Sequence, residues 1–212
     1  MKKILLALGL TVLATSAQAI TITSSSGQFT SLEAGATTID FGAGPGFNPA
    51  SVAGVTSITG GQFRAPPSVT NISAVPVGST GGFYSVGTNV EQEGPGVIVL
   101  DSLASYYGFL WGSVDNYNSV TLFNGATQVF SFTGSDYPPS SGDQAASIYL
   151  NIFADNPDEY FDTIVFESSS NAFETDNHAF VSSVPVPAAL PLLATAFGAF
   201  GIARRRNKAK AA

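Results

Sequence analysis

The sequence contains no cysteine, a single histidine and almost no basic residue in its interior. Without cysteine there is no disulfide framework, so a domain outside the cell must be stabilised by its hydrophobic core alone. The absence of cysteine also excludes a bacterial lipoprotein, which needs an acylated cysteine at its signal cleavage site. The lone histidine, His178, offers no His-Glu-x-x-His or similar ligand spacing. No Gly-x-Ser-x-Gly nucleophile motif is present either, and the sequence therefore predicts a protein that is not an enzyme.

Positive charge is confined to the two ends of the chain. Seven of the eight basic residues lie there, and Arg64 is the only internal one. All fifteen carboxylates fall between Glu33 and Asp176, so residues 20–203 carry a formal charge of −14. Nucleic-acid binding needs clustered lysine and arginine to displace the counterions of the phosphate backbone. The charge pattern therefore excludes a nucleic-acid partner.

The N-terminus has the three parts of a secretory signal peptide. Lys2 and Lys3 form a short positive region, residues 4–14 are apolar, and Ala17 and Ala19 provide a small-x-small cleavage site. A membrane anchor is the alternative, but the apolar run is shorter than the roughly 20 residues that span a bilayer. We therefore predict that residues 1–19 are a signal peptide, removed by signal peptidase.

The C-terminus has the features of a membrane stop. Residues 186–203 are 18 residues without a charge, which is the lower limit for a transmembrane helix. Pro187 lies at the entry, where a helix tolerates proline. Arg204, Arg205 and Arg206 open a basic tail at 204–210 that the positive-inside rule places in the cytoplasm. A buried core helix is the alternative, but such a helix rarely ends in a basic cluster. The sequence thus predicts one transmembrane helix, with the acidic region on the far side of the inner membrane.

The same C-terminal residues resemble a known sorting signal. The sequence VPVPAALPLL followed by the arginine cluster is similar to the PEP-CTERM signal of Gram-negative bacteria, which is recognised by the membrane protease-transpeptidase exosortase. The resemblance covers residues 184–212, and the family's Val-Pro-Glu-Pro form has Glu where this chain has Val186. It implies that Val184, Pro185, Val186 and Pro187 form the motif that exosortase processes. A GPI signal, the other removable C-terminal tail, does not normally end in a basic run.

Residues 20–183 are predicted to form one exported β-domain. Short apolar or alternating runs are separated by turn residues every 8 to 12 positions, as in an antiparallel β-sandwich. Asn124-Gly125 indicates a hairpin. The expected strands are 37–41, 97–100, 107–111, 120–123, 128–133, 147–153, 162–167 and 179–181. The expected core includes Phe109, Leu122, Phe130, Ile148, Leu150, Ile164 and Phe166.

Two blocks inside this domain carry a second resemblance. They are YYGFLWGSVDNYNSVTLFNG, residues 106–125, and FDTIVFESSSNAFETDN, residues 161–177. Both are similar to a family of exosortase-dependent surface proteins that share a Trp-Gly-Ser-x-Asp-x-Tyr-Asn core and a closing Ala-Phe-Glu-x-Asp-Asn. The resemblance implies a jelly-roll-like sandwich and a surface location, with no established enzymatic activity.

The first block contains the candidate ligand platform of the sequence. Trp111 and Tyr117, with the amides of Asn116 and Asn118, have the residue types that stack on sugar rings and bond their hydroxyls. Core packing is the alternative that we favour, because the strand around Trp111 is apolar on both faces.

An acidic segment at residues 155–162 offers a candidate calcium site. Asp155, Asp158 and Asp162 supply the oxygen ligands that calcium prefers. The segment is not an EF-hand, and aspartate, asparagine and proline also form ordinary turns.

Three functional hypotheses follow. The first is an exported cell-surface or extracellular-matrix protein sorted by exosortase, structural or associated with exopolysaccharide and biofilm, with the inner membrane as a transient partner. The second is a carbohydrate-binding module, with or without calcium as a cofactor, that reaches the surface by the same route. The third is a glycan-active enzyme, which needs two carboxylates facing each other across a cleft.

Overall fold

The computed structural model describes residues 20–183, and every described strand belongs to one antiparallel sheet. This confirms the predicted all-β, antiparallel fold class. No α-helix occurs within residues 20–183, where four short 3-10 turns are the only helical elements. The strands are β1 (Thr21–Ser26), β2 (Thr37–Ile39), β3 (Val55–Thr59), β4 (Gln62–Arg64), β5 (Phe83–Val86), β6 (Gly96–Gly112), β7 (Asn118–Asn124), β8 (Thr127–Thr133), β9 (Ser147–Phe153), β10 (Phe161–Ser168) and β11 (Phe173–Ser182).

The sheet is organised around β6, which is 17 residues long and pairs with four other strands. Its first part lies between β3 and β10, with Val99 opposite both Ser57 and Thr163. Its second part lies between β9 and β11, with Trp111 opposite both Ile148 and Thr175. The remaining strands extend the sheet from these partners in the order β4-β5-β11-β6-β10-β7-β8, while β1 pairs with β9 and β2 with β11.

The sequence of β6 explains why it can occupy this central place. Both of its ends are apolar on both faces, as expected for a strand with neighbours on each side. The two ends are joined by the exposed pair Asp101 and Ser102, where the chain passes from one set of partners to the other. The sequence prediction of two separate strands at 97–100 and 107–111 is therefore wrong, because this polar pair lies within a continuous strand.

The core is a cluster of aromatic rings centred on β6, β10 and β11, of which β10 and β11 both pair with β6 but not with each other. The ring of Phe166 in β10 lies 5.3 Å from that of Phe109 in β6 and 5.4 Å from that of Phe173 in β11. Trp111 lies 4.6 Å from Phe173 and has no exposed surface. Such pairs contribute about 0.5–1.5 kcal/mol each beyond the area they bury. In a domain without cysteine, this cluster supplies the main stabilisation.

Most of the predicted core residues are buried. Phe109, Leu122, Leu150, Ile164 and Phe166 have no exposed surface. Phe130 and Ile148 are half-buried and pack against the edge of the same cluster. Phe130 lies on β8, which has a partner on one side only among the described strands, so its side chain keeps some contact with water.

The hairpin between β7 and β8 is confirmed. Asn124 pairs with Thr127, and the two-residue loop between them is Gly125-Ala126. Gly125 has φ 56°, which glycine adopts without steric cost. Its amide donates to Asp162 Oδ1 at 3.1 Å, so the loop is tied to the start of β10.

Four strands were not predicted, namely β1, β3, β4 and β5. The strands β3, β4 and β5 lie in the region where glycine and proline interrupt every apolar run, whereas β1 is a mostly exposed, polar edge strand. No helix within residues 20–183 is long and apolar enough to cross a bilayer. The predicted signal peptide and the predicted helix at 186–203 lie outside the described residues.

Candidate functional site

The pairing of β6 with β11 brings the two sequence blocks together. Gly112, the last residue of β6, lies opposite Glu174 near the start of β11. The chain that leaves β6 at Ser113 therefore passes directly beside the chain that enters β11. Gly112 also allows a third segment to approach, because a Cβ at this position would lie 2.8 Å from the Cα of Pro76. These three segments and a fourth, at residues 141–144, form the walls of a polar pocket.

Glu174 lies at the base of this pocket and is 2% exposed. Its Oε1 accepts a hydrogen bond from the amide of Ala74 at 2.6 Å, and its Oε2 accepts one from the Ser113 hydroxyl at 3.0 Å. Burial raises the pKa of Glu174 to about 7, although these hydrogen bonds oppose the shift. The carboxyl has no basic partner among the described residues, where Arg64–Glu91 is the single ion pair.

Asp115 and Tyr117 form the adjoining wall. Asp115 is 9% exposed, and burial raises the pKa of its carboxyl, an effect that the nearby Tyr117 hydroxyl opposes. The Tyr117 hydroxyl donates to the carbonyl of Asn171 at 3.1 Å. Burial also raises the pKa of Tyr117, so the phenol keeps its proton at neutral pH. The wall thus holds one carboxyl and one neutral hydroxyl, each near the solvent boundary.

The far side of the pocket is held by Asn171. Its Oδ1 accepts from the amides of Thr88 and Asn89 at 2.9 and 3.1 Å, and its Nδ2 donates to the carbonyl of Asn71. Gln92 reinforces this region by donating to the carbonyl of Ile72 at 2.8 Å. Because these bonds use the backbone of several loops, the pocket wall is fixed by the fold rather than by one flexible side chain.

The pocket has a volume of about 280 Å³ and opens to solvent. Its lining is mainly polar and includes Ser73, whose hydroxyl is buried without a hydrogen-bond partner among the described residues. Ser73 is 6% exposed. Buried polar groups are normally paired, and an unpaired one calls for an explanation such as a bound water or a ligand.

Polar side chains continue along β11 beyond the pocket but are closed off from solvent. Asp176 accepts a hydrogen bond from the Ser79 hydroxyl at 2.6 Å. His178 is fully buried, and its Nδ1 lies 2.7 Å from the Tyr107 hydroxyl. Burial lowers the pKa of His178 to about 3, so the imidazole is neutral under ordinary conditions. The one histidine of the chain is therefore a structural residue of the core.

The ligand platform proposed around Trp111 is corrected by the structure. Trp111 and Asn118 have no exposed surface, so neither can offer a face or an edge to a sugar ring. Core packing, which the sequence analysis favoured, is the observed role of Trp111. Tyr117 is half-buried and belongs to the polar pocket instead, while Asn116 is exposed.

Two of the three candidate calcium ligands in the acidic segment at 155–162 form ordinary structural hydrogen bonds. Asp155 accepts a hydrogen bond from the Thr21 hydroxyl at 2.7 Å, and Asp162 accepts from the amide of Gly125. Within residues 20–183 there is no group of three or more histidine or acidic side chains placed to hold a metal ion. The sorting motif at 184–187, the arginines at 204–206 and the cleavage residues Ala17 and Ala19 lie outside the described part of the chain.

Sequence reasoning named one residue of the pocket, Tyr117, but missed the others that form it. Ser113, Asp115 and Glu174 were present in the two quoted blocks, but their meeting depends on the register of β6 with β11. The sequence around Glu174 carries no pattern that separates a buried carboxyl from an exposed one. Ser73 had no signal, because it lies in a loop without a recognisable pattern.

Comparisons with protein-family models, with curated proteins and with solved structures found no match to this chain. The residues of the chain itself are therefore the basis for its proposed function.

Proposed function

We propose that this chain is an exported cell-surface or extracellular-matrix protein, sorted by exosortase and associated structurally with exopolysaccharide. The observation that carries the proposal is the arrangement of charge. Basic clusters at both ends enclose an acidic, cysteine-free region with one internal cation. That arrangement suits a chain that is threaded through the inner membrane, stopped by its C-terminal arginines and folded outside without disulfides.

The processing steps follow from the same residues. Signal peptidase cuts before Ile20, and the helix at 186–203 holds the chain in the inner membrane. Pro185 and Pro187 favour extended backbone in the residues before them, which suits a peptide that must enter a protease cleft. Exosortase then acts near Val184, and the β-domain is displayed at the cell surface or released.

The described domain fits the proposed location. It is all-β, and its stability depends on a large aromatic core. We propose that its two halves form the layers of a jelly-roll-like sandwich, with β10, β7 and β8 facing β9, β11 and the second part of β6. The contacts of Phe166 with Phe109 and Phe173, which join strands from both halves, support this arrangement.

The proposal is tested by mass spectrometry of the surface-exposed protein. We expect an N-terminus at Ile20 and no peptide that reaches Arg204. Replacing Arg204, Arg205 and Arg206 with glutamine should reduce membrane retention and processing, whereas the control Asp158→Asn, at an exposed position of the domain, should not. Intact peptides reaching Arg204 in the mature surface form would contradict sorting by cleavage and would establish a permanent anchor.

A further inference from the structure

The polar pocket beside Glu174 combines hydrogen-bond donors and acceptors of several kinds within a small volume. The carboxyls of Asp115 and Glu174 accept hydrogen bonds, and the hydroxyls of Ser73 and Tyr117 both accept and donate. Its volume of about 280 Å³ lies near the lower end of the roughly 300–1,000 Å³ found for small-molecule sites. The pocket therefore has room for a small polar molecule or for one unit of a longer chain.

Ser73 indicates that the pocket is incomplete without an occupant. Ser73 is 6% exposed and lines the pocket, and its hydroxyl is buried with no partner in residues 20–183. Leaving a buried hydroxyl unpaired costs about 1–3 kcal/mol. A ligand hydroxyl would remove this cost when the Ser73 side chain turns its Oγ into the pocket, and an apolar ligand would not.

The charge of the pocket limits the chemistry of the occupant further. Asp115 and Glu174 repel phosphates, sulfates and carboxylates, and no basic side chain lines the pocket. Within residues 20–183 no third acidic or histidine side chain is placed beside these two carboxyls to hold a metal ion, so the lining lacks the set of oxygen ligands that calcium requires. A neutral molecule rich in hydroxyl groups satisfies these conditions.

We propose that this pocket binds a neutral sugar unit, with Asp115 and Glu174 bonding to its hydroxyls and Ser73 completing the set. The source of the sugar rests on the proposed function, since a protein at the cell surface would meet such sugars in exopolysaccharide. Binding itself depends on the pocket and not on export. The site differs from the platform predicted around Trp111, because it uses polar groups in a recess and no exposed aromatic face.

The test measures binding of neutral sugars to the purified full chain by saturation-transfer NMR and calorimetry. The probes are glucose, galactose, mannose and N-acetylglucosamine, with galacturonic acid as the charged comparison. We expect at least one neutral sugar to bind. Asp115→Asn and Glu174→Gln should each weaken that binding about tenfold, as expected for the loss of a hydrogen bond to a charged or buried group.

Ser73→Ala tests binding without breaking a hydrogen bond of the folded protein, because the Ser73 hydroxyl has no partner among the described residues. We expect it to weaken sugar binding about fivefold, at the lower end of the range for one hydrogen bond, while the unfolding temperature of the free protein stays the same or rises, because an unpaired buried hydroxyl has been removed. Asp158→Asn is the matched control, since it removes an exposed carboxyl away from the pocket.

Four outcomes would overturn the inference. They are no binding of any neutral sugar, equal binding by the pocket variants and Asp158→Asn, galacturonic acid binding as tightly as galactose, and calcium binding at the pocket without sugar. Sugar binding together with an unprocessed tail would support the pocket and contradict exosortase sorting. A processed tail with no sugar binding would support exosortase sorting and contradict the sugar site.

Discussion

The Ser113 hydroxyl donates a hydrogen bond of 3.0 Å to Oε2 of Glu174, a residue 61 positions later in the chain. Both side chains are buried, and the bond joins the end of β6 to the start of β11. It is one of two hydrogen bonds to the Glu174 carboxyl, which is buried and has no basic partner among the described residues. The pKa of Glu174 is therefore set by burial and by two hydrogen-bond donors, and each contribution can be tested separately.

Removing the Ser113 hydroxyl should destabilise the domain. Ser113→Ala leaves Oε2 of Glu174 without its donor, which we expect to lower the free energy of unfolding by about 1–3 kcal/mol. Ser113 has φ 43°, a conformation that glycine adopts more easily. Ser113→Gly loses the same hydroxyl but should be about 1 kcal/mol more stable than Ser113→Ala. Urea unfolding measures both, and equal stability of the two variants would show that the backbone at this position carries no strain.

Glu174 should make the domain more stable in mild acid. Its pKa rises from 4.5 in the unfolded chain to about 7 in the folded protein. Between these values the folded state holds a proton that the unfolded state has released, so the stability from this group falls as pH rises. It is fully present below pH 4.5 and lost above about pH 7. We expect Glu174→Gln to reduce this loss, which is on the order of 3 kcal/mol.

The pH measurement needs the contribution of His178 to be separated. The pKa of His178 falls from 6.5 to about 3 on folding, so its contribution to stability is lost as pH falls through that window. Asp115 and Asp176, whose pKa values burial also raises, act in the direction of Glu174. Denaturant unfolding of wild type, Glu174→Gln and the control Asp158→Asn across pH isolates Glu174. If wild type and Glu174→Gln respond identically to pH, the carboxyl is not perturbed.

Tyr107→Phe should destabilise the core through His178. Both residues are fully buried, and the Tyr107 hydroxyl lies 2.7 Å from Nδ1 of the imidazole. Nε2 of His178 has no partner among the described residues, so the variant would leave neither ring nitrogen paired there. We expect a loss of about 1–3 kcal/mol in thermal or urea unfolding. Tyr160→Phe, at a half-buried position, should change stability much less, and a comparable loss there would mean that the effect is not specific to His178.

Calcium should leave the described domain unchanged. Asp155 and Asp162 are bonded to different segments, and no group of three suitable side chains occurs within residues 20–183. We therefore expect the unfolding temperature to be the same in calcium chloride and in a chelator. A rise in calcium that disappears in Asp158→Asn would restore the site that the sequence suggested at 155–162.

The sequence predicted the fold where strands are apolar and bounded by clear turns. The hairpin at Asn124-Gly125 and the strand at 147–153 needed only local information, and both are present. The prediction failed where neighbours decide the conformation. β1 is almost wholly polar and is a strand because it pairs with β9, with Thr21 opposite Phe153. The sequence prediction ended one strand at residue 100 and began the next at 107, but Asp101 and Ser102 lie within the continuous strand β6.

The candidate site was less accessible to sequence reasoning than the fold. Trp111 attracted attention because tryptophan is common in sugar-binding sites, yet its burial depends on rings from β8 and β11. Glu174 and Asp115 belong to different blocks, and only the register of β6 against β11 places them together. Residue type alone could not separate these carboxyls from the exposed ones, since exposure is a property of the assembled sheet.

The four partners of β6 also fix the order in which the domain can be completed. β3 precedes β6 in the chain, whereas β9, β10 and β11 all follow it, and the last of these ends at Ser182. A chain that emerges N-terminus first thus presents its central strand before three of the four partners exist. Folding dominated by such distant pairings is slow. The polypeptide should consequently remain open until Ser182 has emerged, a property that suits the export route proposed above.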